Sequence, residues 1–396
     1  MVWRSDWPWK RARIADSWTW PQIFWVNLFC WWPEEFENPR LRAIIKVLCW
    51  YCLVHTTLMQ FGILIACLSF DPKNSLVDNL FNFFTFSSGM TSLCKLFAIV
   101  KNRKKFKQAM VQLDEMVRDE IKTLEEEEIL RKGFKRSWMI SWFCTACIYF
   151  TILTWLTAPL IALATTGKRT WMLDCWPPLE DNWRNFFISY VFLGYGLSAL
   201  GNSFNLFDNI YCCTAQNILC HLQVLKLRLP KIRLSEERSE ELISAIRYHD
   251  KILSTCKLLR DSSTGAILSV CTNTVLLYCF GVFIINLGED IGTQNTMKIL
   301  ESASLAGVQI SFICWYSNEI TLTCSQLSRS CYSMDWINGS IPNKRCLYIM
   351  VLRTLMPFYF GGFLQVELAT IITILKAIFS YFNFLQTMMS NDENEA

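Results

Sequence analysis

Charge in this chain is confined to a few stretches, and between them lie seven long windows that carry almost none. A soluble fold spreads charge over its whole surface, whereas a bilayer excludes it from about 20 consecutive residues of each crossing helix. The windows are 47–70, 80–94, 137–167, 185–207, 262–287, 302–318 and 358–389. They predict an all-α integral membrane protein with seven transmembrane helices. Composition points the same way, with 52% hydrophobic and 18% charged residues, against roughly 25% charged in soluble proteins.

Orientation follows from where Lys and Arg fall, since cytosolic loops carry the excess. Of the 38 basic residues, 30 fall in 1–43, 101–136, 213–261 and 321–357, and five fall in the alternate segments. The expectation is therefore a cytosolic N-terminus and an extracellular C-terminus. In that scheme 1–43 is a cytosolic N-terminal segment, and 44–320 holds helices one to six with cytosolic helical extensions at 101–136 and 213–261. A cytosolic anchor segment follows at 321–357, then the seventh helix at 358–389 and a short extracellular tail at 390–396. Apolar periodicity from Ile218 to Leu229 and from Leu242 to Leu258 supports the helical extensions. The opening MVWRSDWPWKRARIADSW lacks the apolar core of a secretory signal, so insertion is expected to start at the first spanning helix.

This orientation is the reverse of the G-protein-coupled arrangement. The Asp-Arg-Tyr and Asn-Pro-x-x-Tyr marks of that class are missing as well.

Chemistry is sparse. The three histidines, His55, His221 and His249, are scattered, and there is no phosphate loop, zinc pair or nucleophile elbow. No enzyme, cofactor or metal is expected. The net charge of +4 is small and its signs are interleaved, which excludes a nucleic-acid footprint. Most of the 18 cysteines lie in apolar runs, where a thiol acts as a small hydrophobe; Cys175 falls in an outer loop.

The seventh window is the most informative, because ionisable residues at membrane depth are costly. Glu367 and Lys376, nine residues apart, fall on opposite faces of a helix turning about 100° per residue. Thr373, Ala377, Ser380, Phe384 and Thr387 form a narrow stripe of mostly small or polar residues, opposite Ile371, Ile374, Ile378, Phe382 and Leu385. Such a stripe lines a water-filled path if several copies meet on an axis, or packs closely against another helix. Spacing alone favours packing.

A run of motifs in the last third alters that balance. Cys314-Trp315-Tyr316-Ser317-Asn318-Glu319-Ile320, then Tyr332, Asp335-Trp336, Pro357 and Gly361-Gly362-Phe363, then Lys376 and Ser380-Tyr381-Phe382, resemble the insect odorant receptor family in order and spacing. Ala369 departs from the family, many members of which carry Glu there, and Phe379 and Asn383 replace a commoner Tyr and Thr. The related gustatory receptors end in a pattern that Ser380 to Thr387 does not reproduce. A gustatory-type channel and a metabotropic receptor remain the alternatives.

The resemblance implies a tuning subunit that assembles with the Orco co-receptor into a four-subunit, odorant-gated, nonselective cation channel. The last helix of each subunit would line its pore, and the cytosolic helices would form an anchor. Its expected place is the plasma membrane of olfactory neuron dendrites. A small volatile odorant would bind in the outer half of each subunit, among the second, third, fourth and sixth spans. The candidates there are Phe83, Phe84 and Ser87, then Thr154, Trp155 and Ala158, then Tyr190 and Gly194. Apolar walls with a few hydroxyls suit such a ligand.

Overall fold

The computed structural model describes residues 38–69, 76–173, 180–234, 239–286, 293–354, 359–360 and 364–395. Cys175, Pro357, Gly361 and Gly362 lie outside them. These residues are helical almost throughout: α1 Pro39–Ser69, α2 Leu76–Glu120, α3 Leu124–Thr166, α4 Trp183–Arg228, α5 Glu240–Asn286, α6 Thr293–Tyr332, α7 Ile341–Thr354 and α8 Leu368–Glu395. Before α8, β1 (Tyr359–Phe360) pairs antiparallel with β2 (Leu364–Gln365).

Each of the seven apolar windows lies wholly or largely within one long helix. Among the described residues five helices, α1, α2, α3, α5 and α6, are long and apolar enough to cross a membrane, and α8 contributes the shorter apolar stretch Leu368–Phe384. In α4 the apolar run is diluted by Tyr, Gly, Ser and Asn. The outer surface agrees with a lipid setting: along α1, Leu58 and Phe61 are each 61% exposed and Leu68 68%. A patch of that size is unfavourable in water but is ordinary against acyl chains. The protein is thus a multi-pass membrane protein.

Polar α4 is the centre of the bundle. Every residue from Ser203 to Leu222 is buried, because α1, α2, α3, α5 and α6 all pack on it. A helix covered on all sides needs no polar face, and the polar groups it does carry must find partners inside. Asn205 Oδ1 accepts from Thr145 Oγ1 at 3.1 Å, and Tyr211 and Ser317 hydroxyls meet at 2.8 Å. The Asn318 and Glu319 positions of the motif follow on the same helix, where Trp315 and Tyr316 rings lie 4.8 Å apart.

The long helices continue past the apolar windows into a second packed layer. α2 and α3 form a hairpin whose turn is fixed by a capping box: Thr123 Oγ1 accepts from the Glu126 N–H, and Glu126 Oε2 accepts from the Thr123 N–H. Glu126 also receives Arg228 from the end of α4, Nε to Oε1 at 2.5 Å and Nη2 to Oε2 at 2.9 Å. The guanidinium lies 5.2 Å over the Tyr248 ring, and the Tyr248 hydroxyl meets His221 Nδ1 at 2.7 Å. Burial, the largest single influence, would raise the Glu126 carboxyl, but the hydrogen bonds and charge of Arg228 together with the Lys122 and Thr123 N–H donors outweigh it and hold Glu126 at about 2. Burial drives His221 down to about 3. Tyr332, Asp335 and Trp336 shape the corner between α6 and α7: Trp336 Nε1 donates to the Tyr332 carbonyl at 3.2 Å, and the backbone of Asp335 forms an isolated parallel β-bridge with that of Arg233.

One boundary differs from the sequence expectation. The last helix begins at Leu368, not near 358, because extended residues pair at Tyr359↔Gln365 and Phe360↔Leu364. Glu367 therefore stands ahead of the helix and does not face away from Lys376 within it. Its N–H donates to Thr370 Oγ1 at 3.0 Å, the contact that the third helical side chain makes back to the cap residue in a capping box.

Candidate functional site

A cavity of about 100 Å³ opens among α1 to α6, in the half of the bundle away from the Glu126–Arg228 layer. Its size is of the order of the engineered ~150 Å³ apolar cavity that admits benzene in another protein. Most of the wall is apolar: Met59 and Ile63 from α1, Phe84 from α2, Ile148, Ile152 and Trp155 from α3, Leu200 and Phe204 from α4, Leu277 from α5, and Leu305 and Ala306 from α6. Gln60, Thr85, Ser88, Ser92, Thr151, Asn273, Ser302 and Gln309 supply the polar points.

The end farther from the Glu126–Arg228 layer is closed by stacked rings. Phe81 lies over Phe84 (5.9 Å) and Trp155 (6.5 Å), each pair near parallel, and Lys298 Nζ sits 5.0 Å over Trp155. At the opposite end Phe204 and Gln309 form the floor. Beneath them Lys95 Nζ donates to Asp208 Oδ1 at 2.9 Å and lies against the Phe204 ring at 3.1 Å. Gln309 Nε2 donates to the same carboxylate at 2.8 Å. An ion pair removed from water persists when each partner is fully hydrogen-bonded, and here the pair ties α2, α4 and α6 together.

Two fully buried polar atoms on the wall residues lack partners. Gln60 Oε1 and Trp155 Nε1 are buried with no hydrogen bond. The site thus offers an unsatisfied acceptor and an unsatisfied donor within an apolar enclosure.

Of the eight residues singled out in the sequence, Phe84 and Trp155 line this cavity. Phe83 and Tyr190 pack beside the Met59–Ile63–Cys67 cluster, and the Tyr190 hydroxyl donates to the Leu156 carbonyl at 2.9 Å. Ser87 sits behind the wall, donating to Asn273 Oδ1 at 2.5 Å, and Thr154 donates to Glu301 Oε2 at 2.7 Å. Ala158 is half-buried one turn beyond Thr154, and Gly194 gives room to Leu156. The lining residues that sequence reasoning missed, Gln60, Asn273, Ser302 and Gln309, were marked by being polar within apolar windows.

On α8, Thr373, Ala377, Ser380, Phe384 and Thr387 are all exposed. Ile374 is buried and Ile371 and Ile378 are half-buried against the core formed with α5 and α6. Lys376 and Tyr381 are exposed too.

A profile described as 7tm Odorant receptor matches residues 75–379 of this chain. The chain belongs to the insect odorant receptor family. Among Drosophila melanogaster proteins it is similar to Odorant receptor 85c, 26% identical over 216 residues, covering 53% of this chain and 54% of that one. It is also similar to Odorant receptor 46a, isoform A, 24% identical over 392 residues, covering 92% of this chain and 96% of the relative. With Odorant receptors 85c and 67c the receptor aligns over only about half of the relative's length. Its fold is that of the olfactory receptor OR5 from Machilis hrabei. The structure of OR5 in complex with eugenol matches with a TM-score of 0.81 at 14% identity, covering 94% of this receptor and 98% of that chain.

Proposed function

We propose that this receptor is the ligand-binding tuning subunit of an odorant-gated, nonselective cation channel assembled with Orco, and that it acts as a receptor and not as an enzyme. The observation that carries the reading is the apolar cavity among α1 to α6, with two unpartnered polar atoms in its wall, in a chain of this family. The likeness of its fold to OR5, which has been solved with eugenol, supports a small volatile ligand in that space.

In this reading the N-terminus is cytosolic and the C-terminus extracellular, as the distribution of basic residues favours. The layer built on Glu126 and Arg228, with 321–357, forms the anchor. The exposed stripe Thr373, Ala377, Ser380, Phe384 and Thr387 faces the channel axis in a heterotetramer, with Phe384 as an apolar constriction. The opposite face of α8 is already used against α5 and α6. The receptor sits in the plasma membrane of olfactory neuron dendrites.

Whole-cell current tests this in cells expressing the receptor with and without Orco, during a panel of volatiles and with G-protein signalling blocked. A fast cation current that needs both chains and survives the block is expected. Current that appears without Orco and vanishes under the block contradicts the proposal.

A further inference from the structure

We propose that the receptor carries an anionic-phospholipid site between α1, α2 and α5, apart from the odorant cavity. An open groove of about 700 Å³ runs there. Its walls are apolar along one end, with Leu53 from α1, Met90, Leu93 and Phe97 from α2, and Ala266 from α5. At the other end its rim is polar and basic, with Lys101, Asn102, Lys105 and Ser262. An acyl chain and a charged headgroup need this division of one groove into an apolar length and a cationic end.

The charge is unspent. Lys101 and Lys105 are exposed, and among the described residues neither forms an ion pair. Lys101 Nζ instead stands 5.5 Å over the Phe97 ring, at the junction of the two parts. The one acidic group on the rim, Asp261, is engaged by Arg260 at 2.9 Å. Both lysines belong to the run Lys101-Asn102-Arg103-Lys104-Lys105-Phe106-Lys107, directly after the second apolar window. A basic cluster at that position recognises the anionic lipids of the cytosolic leaflet.

The groove owes its depth to Gly265, where a Cβ would meet nothing within 4 Å. Asn102 Nδ2 donates to the Ser262 carbonyl at 3.1 Å and fixes the rim between α2 and α5. The groove is therefore held open by two packed helices.

The test places a photoreactive benzoylphenylalanine at Phe97 of the full chain, reconstituted with its channel partner. The vesicles are phosphatidylcholine with or without phosphatidylserine. Cross-linking enriched in phosphatidylserine beyond its share of the bilayer is expected. Each lysine near an anionic headgroup is worth roughly a five-fold change in affinity, so the double variant Lys101→Gln/Lys105→Gln should lose about twenty-five-fold. Lys104→Gln, outside the groove, should change nothing. Gly265→Leu should block cross-linking to either lipid, and the open space at that position lets the fold accept it. Labelling of the two lipids in proportion to their abundance overturns the site, as does labelling of residues 1–37 or of a second protein chain. The readout needs no odorant response, so its failure is distinct from failure of the channel reading.

Discussion

Gln309 Nε2 and Lys95 Nζ donate to the same Asp208 carboxylate, at 2.8 and 2.9 Å, so a residue in the cavity floor shares its partner with a fully buried cation. A contact made at Gln309 would through that carboxylate reach three helices at once. It also makes the pair costly to break. Lys95→Met leaves Asp208 charged and buried, and should destabilise the receptor by about 3–5 kcal/mol, while Lys95→Met/Asp208→Leu should recover most of the loss. Thermal melting of the detergent-purified receptor by size-exclusion chromatography measures both.

Trp155 separates stability from recognition. Its indole N–H is buried without a partner, so Trp155→Phe removes an unsatisfied donor while keeping most of the ring stack with Phe81. Melting temperature should stay close to that of the unaltered receptor. Potency should fall about tenfold for odorants bearing a carbonyl or ether oxygen, and little for hydrocarbons, because one neutral hydrogen bond is worth about 1 kcal/mol or slightly more. Equal shifts for both odorant classes would show that the N–H takes no part.

Acid should loosen the layer built on Glu126 and Arg228 in two stages. His221, held near 3 against an ordinary value of 6.5, is neutral in the fold; its contribution is present above 6.5 and is lost as pH falls from there toward 3. Glu126, held at about 2 against 4.5, contributes stability above 4.5 that fades as pH falls toward 2. Glu126→Gln should remove the second stage and leave the first. Melting against pH for the two proteins checks this, and an unchanged profile below 4.5 would mean that Glu126 is not held by Arg228.

Close packing of α3 on α4 depends on Gly133. A Cβ there would run into Cys220 Sγ, which is itself buried against α3. Gly133→Ala should cost about 1–3 kcal/mol through overpacking, despite the better helix propensity of Ala. A companion Cys220→Gly should restore part of it. If Gly133→Ala raises the melting temperature instead, the two helices have room that the geometry denies.

The spans were legible because the bilayer imposes one strong rule, and long uncharged windows are its direct trace. α4 shows where the trace weakens. Its polar residues looked unremarkable in sequence, yet they form the buried axis of the bundle, because enclosure by five neighbours is a tertiary fact. The start of α8 was placed too early, since apolar residues suit an extended pair as well as a helix, and only the Tyr359↔Gln365 register tells them apart. Depth was the harder problem for the cavity. Phe84 and Trp155 were named, but Gln60 and Asn273 come from the first and fifth spans, which no local pattern linked to the others. Gln60 lies across Gly89 of α2, a contact between residues far apart in sequence.

If odorant binds among α1 to α6 and its binding opens the channel, filling that cavity must weaken the response. Ala306→Leu adds an isopropyl group to the cavity wall, at a residue that is 5% exposed. The measurement is the odorant concentration–response of cation current in cells expressing Orco with either the receptor or this variant, at matched surface expression. Potency should fall by at least about tenfold, the scale on which an apolar pocket reads one methylene, or the current should vanish. Superimposable curves would contradict this.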